Sequence, residues 1–408
     1  MGVDSRKSKE RVLFGNFAAL SILKVYNLII PFVTLPYLIK ILDFSTYGVI
    51  VLSLSLNQYF HTFTTYGFNY TATRDIARHR HSENQLSYIY IKYLSATLLL
   101  LCISLIFYFV VINLVPSFKG NLLIFSLSAI VLVGNSLFPE WFFRGVEKMY
   151  FITILDVSVK TILTVGVFVF IHEEADSWKY PVILGLGYII VSLFSHYIII
   201  KRFVNRIHVI PLKWVKKCLV DGYPIFLNQF VPNFYNNTTG VLIGVLLGNY
   251  YAGIFGAIRQ VVNLLNVFNS VVTSVFFPYL IKNGNSFRAY SRYYSFLFFI
   301  ICIFFISILP YILEYIGVNP KTYLLTACYL VFGVYFYSIF NVFGTNYLLR
   351  LGFDKLVMRI VVFCSLLGFV LSWGLISYLG IEGGSINIAF CQFLMGSLSI
   401  LFYKRKLI

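Results

Sequence analysis

Arg259, Asn263, Asn266, Ser270 and Thr273 follow one another at steps of four, three, four and three, the spacing that puts side chains on one face of an α-helix. The surrounding stretch, residues 251–281, is otherwise largely apolar. An arginine at the centre of a bilayer costs about 2.5–3.5 kcal/mol on insertion scales, so this face must turn to a hydrated cavity or a partner helix. The pattern recurs as Gln229, Asn233, Asn236, Asn237 and Gly240 in 222–248, as Ser53, Asn57, His61, Thr64 and Thr65 in 45–69, and as Lys24, Asn27, Pro31 and Thr34 in 13–39. Four such faces can line one central cavity. Its expected binding groups are Lys24, Asn27, Asn57, His61, Gln229, Asn233, Asn236, Arg259, Asn263 and Asn266. Lys and Arg pair with phosphate or carboxylate and amides bond hydroxyls, so the cavity suits an anionic, hydroxyl-rich substrate. The same amides also fit a second reading, as hydrogen-bonding glue between helices.

Lys24 and Arg259 have no carboxylate three or four residues away, whereas Lys160 follows Asp156 by four and Arg144 follows Glu140 by four. These two i,i+4 pairs read first as neutralised structural or gating pairs and second as substrate contacts. His61 could titrate near neutral pH and couple transport to protons, or be satisfied by a neighbouring helix. The six cysteines stand apart with no C-x-x-C, so neither a metal site nor a cofactor is expected. The sequence has no G-x-x-x-x-G-K-[ST] run to cradle a nucleotide, and no Ser/His/Asp arrangement stands out.

The elements that must hold these residues are membrane helices. Of 408 residues 59% are hydrophobic and only 12% charged, against about 25% charged in soluble domains. A soluble enzyme is excluded. Apolar stretches of spanning length lie at 13–39, 45–69, 93–115, 121–143, 151–171, 181–200, 222–248, 251–281, 293–313, 322–349, 358–378 and 383–403. Between them, alternate connections hold 25 and 4 of the Lys and Arg residues, the other three lying inside spans. That bias predicts an even number of spans with both termini cytoplasmic. The net charge of +17 is therefore a topology signal and no nucleic-acid partner is expected. The basic start and its long apolar run read as a retained first helix, not a cleaved leader.

A long polar connection, near residues 201–221, falls halfway along the spans. It predicts an all-α polytopic membrane protein of about 12 transmembrane helices in two six-helix lobes around a central cavity, with an N-lobe at 1–205 and a C-lobe at 206–408. Ile41-Leu42-Asp43 followed by Tyr47-Gly48-Val49 echoes Leu246-Leu247-Gly248 followed by Ala252-Gly253-Ile254, as parallel repeats in transporters do. Pro31 and Pro224 are expected to allow bends in the first and seventh spans.

Asn16-Phe17 through Leu35-Pro36-Tyr37-Leu38, Tyr47-Gly48, and Tyr66-Gly67-Phe68-Asn69 running into Thr71-Ala72-Thr73-Arg74-Asp75-Ile76-Ala77 resemble the opening of bacterial O-antigen flippases of the Wzx type. Pro139-Glu140-Trp141-Phe142-Phe143-Arg144-Gly145-Val146-Glu147-Lys148-Met149 is similar to that family's fourth-span signature, in which Gln often stands at the place of Arg144. A looser likeness surrounds Phe343-Gly344-Thr345-Asn346. The family belongs to the multidrug/oligosaccharidyl-lipid/polysaccharide exporter superfamily. The resemblance implies two lobes around a V-shaped cavity and transfer of an undecaprenyl-diphosphate-linked oligosaccharide, an O-antigen or related repeat unit, from the cytoplasmic to the periplasmic leaflet of the inner membrane. It also implies membrane lipid, a polysaccharide polymerase and a chain-length regulator as partners, and cationic cavity residues such as Lys24 and Arg259 in handling the anionic lipid-linked glycan.

The leading expectation is thus a non-enzymatic flippase working by alternating access. A drug/cation antiporter of the same superfamily would want unpaired cavity carboxylates. A membrane glycan polymerase or ligase would want a long external loop with carboxylates or histidines, and no external connection here exceeds about ten residues by the spans expected from bilayer thickness.

Overall fold

The computed structural model describes residues 2–204, 210–282 and 286–406, and among these every regular element is helical. In chain order the elements are α1 (Gly2–Thr65), α2 (Phe68–His79), α3 (Glu83–Leu114), α4 (Pro116–Lys119), α5 (Leu122–Leu137), α6 (Glu140–Gly145), α7 (Met149–Phe170), a 3-10 turn (Glu174–Trp178) and α8 (Lys179–Phe203). They continue with α9 (Leu212–Phe230), α10 (Asn233–Leu247), α11 (Asn249–Lys282), α12 (Phe287–Tyr315), α13 (Pro320–Phe340), a π-helical segment (Asn341–Leu349) and α14 (Asp354–Lys406).

Among the described residues, 8 helical stretches are long and apolar enough to cross a membrane. α9 is not one of them, because Lys213, Lys216, Lys217 and Asp221 interrupt it. Two of the eight contain a kink: the backbone leaves helical geometry at Asp43 in α1 and at Gly380 in α14. Large apolar side chains such as Ile106 and Phe107 on α3, Phe296 and Phe304 on α12 and Val370 and Trp373 on α14 are exposed. In a folded chain, so much apolar surface belongs against lipid.

The chain forms two compact units. One comprises Met1–Ile30 with Leu56–Phe230, the other Pro31–Ser55 with Val231–Ile408. This differs from the expected division at residue 205: residues 31–55 join the second unit and 206–230 the first. The reason lies in small residues. A Cβ on Gly48 would overlap the Asn249 carbonyl oxygen, and a Cβ on Gly253 would overlap that of Phe44. Gly256 leaves room for Val51, and Gly244 for Leu52. The second part of α1 and the start of α11 therefore meet backbone to backbone.

That crossing is where the sequence echo becomes structural. Gly48 and Gly253 occupy matching places in the two echoed segments, and each touches the residue that matches the other's partner. The turns just before them match as well. Asp43 has φ 59° and ψ 176°, and Gly248 has φ 100° and ψ 169°. Gly adopts such a conformation without a Cβ penalty; at Asp43 the side chain contributes, since Oδ1 accepts the Thr46 backbone N–H at 2.8 Å and caps the helix that follows.

Pro224 lies inside α9, and a break falls at Val231–Pro232, with Pro232 at the N-terminal cap of α10, where a missing N–H costs nothing. Pro31 lies within α1, whose backbone departs from helical values at Asp43.

Gly48→Ala and Gly253→Ala should each lower the thermal stability of the detergent-purified protein, by the ~1–3 kcal/mol or more typical of overpacking. Gly374→Ala is the control: nothing lies within 4 Å of its added methyl, so it should be neutral or stabilising by up to ~1 kcal/mol. Equal unfolding midpoints for the three would contradict the close crossing.

Candidate functional site

The second unit contains a cavity of about 360 Å³ walled by α10, α11, α13 and α14. Its polar lining consists of Tyr235 and Asn236 from α10, Arg259, Asn263 and Asn266 from α11, Tyr337 from α13 and Gln392 from α14, while Val262, Leu330, Val334 and Ile388 supply the apolar part. The step of four then three along α11 places Arg259, Asn263 and Asn266 on this one wall, as their spacing predicts.

Arg259 is held rather than neutralised. Its Nη2 donates to Asn236 Oδ1 at 2.9 Å and its Nη1 to the Asn236 carbonyl at 3.1 Å. The guanidinium carbon lies 5.8 Å from the centroid of the Phe255 ring, within cation–π range. Gly240 makes room for the group, since a Cβ there would stand 3.6 Å from Nη1. Among the described residues no carboxylate forms a salt bridge with Arg259. A guanidinium has five N–H donors, so it retains donor capacity after these contacts. Asn266 Oδ1, buried with no hydrogen-bond partner among the described residues, offers an acceptor on the same wall. A cation with amides and phenols around it can pair with an anion and bond hydroxyl groups at the same time.

The remaining expected residues have different places. Asn233 lies on α10 and accepts from Asn237 Nδ2 at 2.7 Å. Gln229 ends α9 and belongs to the first unit. Asn57 is buried, and its amide donates to the Ser128 carbonyl on α5 at 2.9 Å; this is the helix-bonding role, in place of the cavity role expected for it. His61 also faces its own unit: it lines a chamber of about 60 Å³ with Thr65, Asn69, Asn135, Ser136 and Glu140 among others. Lys24 and Asn27 fall on α1, with their side chains outside the described residues.

The two i,i+4 pairs form. Lys160 Nζ lies 3.0 Å from Asp156 Oδ2, and Arg144 bonds Glu140 Oε1 at 2.6 and 3.1 Å. Glu140 also accepts from Asn69 Nδ2 at 3.2 Å, and Thr73 Oγ1 donates to the Trp141 carbonyl at 3.1 Å. The two segments that carry the family resemblance thus pack on each other, with Gly145 of one against Ile76 and Thr73 of the other. Arg144 is taken up by this packing.

Tyr235, Tyr337 and Gln392 are cavity residues that the sequence reading does not single out. Gln392 was legible in principle as a polar residue in an apolar run, 383–403. The two tyrosines are hidden among the 31 of the chain, and no spacing marks them.

In a variant lacking the native cysteines, Asn263→Cys should react with a water-soluble maleimide, whereas Leu265→Cys, at a position 4% exposed and outside the cavity, should stay unmodified. Equal labelling, or none at either position, would contradict a hydrated cavity.

Comparison with known proteins agrees with the sequence resemblance. The polysaccharide biosynthesis protein family matches residues 13–283. A candidate O-antigen transporter of Escherichia coli (strain K12) is 25% identical over 264 residues, which are 64% of this chain and 63% of that protein. The chain therefore spans a little under two thirds of that relative's length. One from Shigella dysenteriae is 24% identical over 381 residues, covering 90% of this chain and 94% of its own. In fold, the chain is similar to the lipid II flippase MurJ in an inward closed conformation, with TM-score 0.72, 15% identity and coverage of 95% and 87%. An inward-facing MATE multidrug transporter of the MOP superfamily aligns with TM-score 0.67, 13% identity and coverage of 94% and 98%. These two likenesses are of fold alone. The family match takes in both signature segments and the Arg259 face and extends over more than half of the sequence; the chain belongs to the polysaccharide biosynthesis protein family.

Proposed function

We propose that the protein is a flippase for lipid-linked oligosaccharide. It moves an undecaprenyl-diphosphate-linked repeat unit of O-antigen or a related surface polysaccharide from the cytoplasmic to the periplasmic leaflet of the bacterial inner membrane. The observation that carries this reading is Arg259, a buried cation with no carboxylate partner among the described residues, in a cavity whose other polar lining is amides and phenols. Membership of the family and the names of its relatives, O-antigen transporters, support the choice of substrate.

In this reading the chain spans the membrane about twelve times with both ends in the cytoplasm, a topology supported by the distribution of Lys and Arg. The protein makes and breaks no covalent bond. Arg259 pairs with the diphosphate or an acidic sugar, a pairing in low dielectric that is worth more than in water. Asn263, Asn266, Tyr337 and Gln392 accept and donate to sugar hydroxyls, and Lys24, on α1 of the first unit, is a second cation for the same substrate. The polyprenyl tail stays in the bilayer. Alternating access then requires that the cavity open to one side at a time. The polysaccharide polymerase and its chain-length regulator would receive the product.

A drug/cation antiporter is the weaker alternative. Its cargo would want an anionic cavity, and residues 222–408 contain only three carboxylates, Glu314, Asp354 and Glu382. None of them lines the Arg259 cavity.

Cells lacking the protein, and without a redundant flippase, should retain unflipped lipid-linked repeat units and lose surface polysaccharide. Normal surface glycan would reject the proposal. Arg259→Ala should reduce complementation at least ~10-fold, the equivalent of 1.4 kcal/mol, while the protein remains inserted and abundant. Arg259→Lys should retain part of the activity because the charge survives without the fork. Lys24→Ala should act in the same direction as Arg259→Ala. Full export by both alanine variants would make the cations structural.

A further inference from the structure

The second unit carries another polar recess, remote in character from the Arg259 cavity: an open groove of about 420 Å³ between α12, the end of α13 with the π-helical segment, and α14. Arg288, Ser291, Arg292 and Ser295 line one side, at steps that stack them along one face of α12, and Phe343 and Tyr403 form part of the other. We propose that this groove binds the phosphate headgroup of an anionic phospholipid of the cytoplasmic leaflet.

Four observations converge on that occupant. Arg288 and Arg292 are exposed one helical turn apart, and neither forms a salt bridge among the described residues. On α12 the one carboxylate is Glu314, 26 residues beyond Arg288, hence ~39 Å away at 1.5 Å per residue. The groove's charge is thus positive and uncompensated along its own helix. On α14 the pocket residue Tyr403 is followed directly by Lys404, Arg405 and Lys406, so this end of the unit concentrates cations as cytoplasmic membrane edges do.

The apolar part has the geometry of a bilayer boundary. Ile339, Phe343 and Ile400 supply an apolar floor next to the arginines, and Tyr293 and Phe296, 73% and 64% exposed, project from α12 beside Arg292. An exposed tyrosine beside basic residues suits the headgroup level. A phosphate on the two guanidiniums with an acyl chain over the floor satisfies both halves of the groove, whereas a free phosphate would leave the apolar floor wet. Basic recesses between membrane helices on the cytoplasmic side are the places where anionic headgroups bind.

The wall is preformed rather than pliable. Phe287, Phe343, Tyr347 and Tyr403 pack ring to ring, with centroids 4.7 to 5.9 Å apart. Arg350 lies over Phe287 and Tyr347 and donates to the Leu280 carbonyl at 2.8 Å, so this cation closes the wall while Arg288 and Arg292 remain available.

The test is native mass spectrometry of the full chain released from nanodiscs containing phosphatidylglycerol, phosphatidylcholine or a mixture. Wild-type protein should retain phosphatidylglycerol over phosphatidylcholine. R288Q/R292Q should lower that retention at least tenfold, R288K/R292K should preserve most of it, and K201Q/R202Q, altering exposed cations of the first unit, should leave it unchanged. Undiminished retention by R288Q/R292Q would overturn the proposal. So would loss of the bound lipid on adding inorganic phosphate alone at matched ionic strength, which would identify the ligand as free phosphate.

Discussion

The structure depends on keeping one arginine charged and unneutralised inside an apolar helix bundle. Placing Arg259 there is costly unless its donors are satisfied and its surroundings hydrated. Asn236 satisfies two of the N–H groups, Phe255 offers a ring face, and Gly240 provides space. None of these partners cancels the charge. A carboxylate at the place of Asn236 would hold the guanidinium equally well and would remove its value for an anion. The use of an amide therefore leaves the charge of this buried cation uncancelled by its own partner.

Rigidity around that element comes from small residues. Matching glycines in α1 and α11 let two helices cross at backbone contact just after matching turns at Asp43 and Gly248. The crossing fixes the start of α11, and Arg259 lies less than two turns beyond Gly253 on the same helix. Thus the short sequence echo around Gly48 and Gly253 has a mechanical consequence for the site: it anchors the helix that presents the cation.

Much of this was legible in the sequence because membrane helices obey strong rules. The apolar runs and the stepwise spacing of Arg259, Asn263 and Asn266 each report a local property of one helix. What was not legible depends on partners far along the chain. Asn57 has the same spacing logic as Asn263, yet its amide is taken by Ser128 on another helix, and nothing near Asn57 announces that. A break falls at Val231–Pro232 because α9 and α10 belong to different units, a tertiary circumstance. Residues 31–55 change units for the same reason: the glycines that carry them across are visible, but their mutual contact is not. Tyr235, Tyr337 and Gln392 reach the cavity from α10, α13 and α14, which only packing brings together.

The account stands on the charge of Arg259 being available to an anionic ligand. It is tested most directly by equilibrium binding of two synthetic lipid-linked oligosaccharides to purified protein in nanodiscs, alike in sugar and tail but joined by a diphosphate or by a neutral linker. The account predicts that wild type prefers the diphosphate form by at least ~10-fold, about 1.4 kcal/mol, and that Arg259→Gln abolishes this preference while binding the neutral form as before. A preference for the diphosphate that survives unchanged in Arg259→Gln would contradict it.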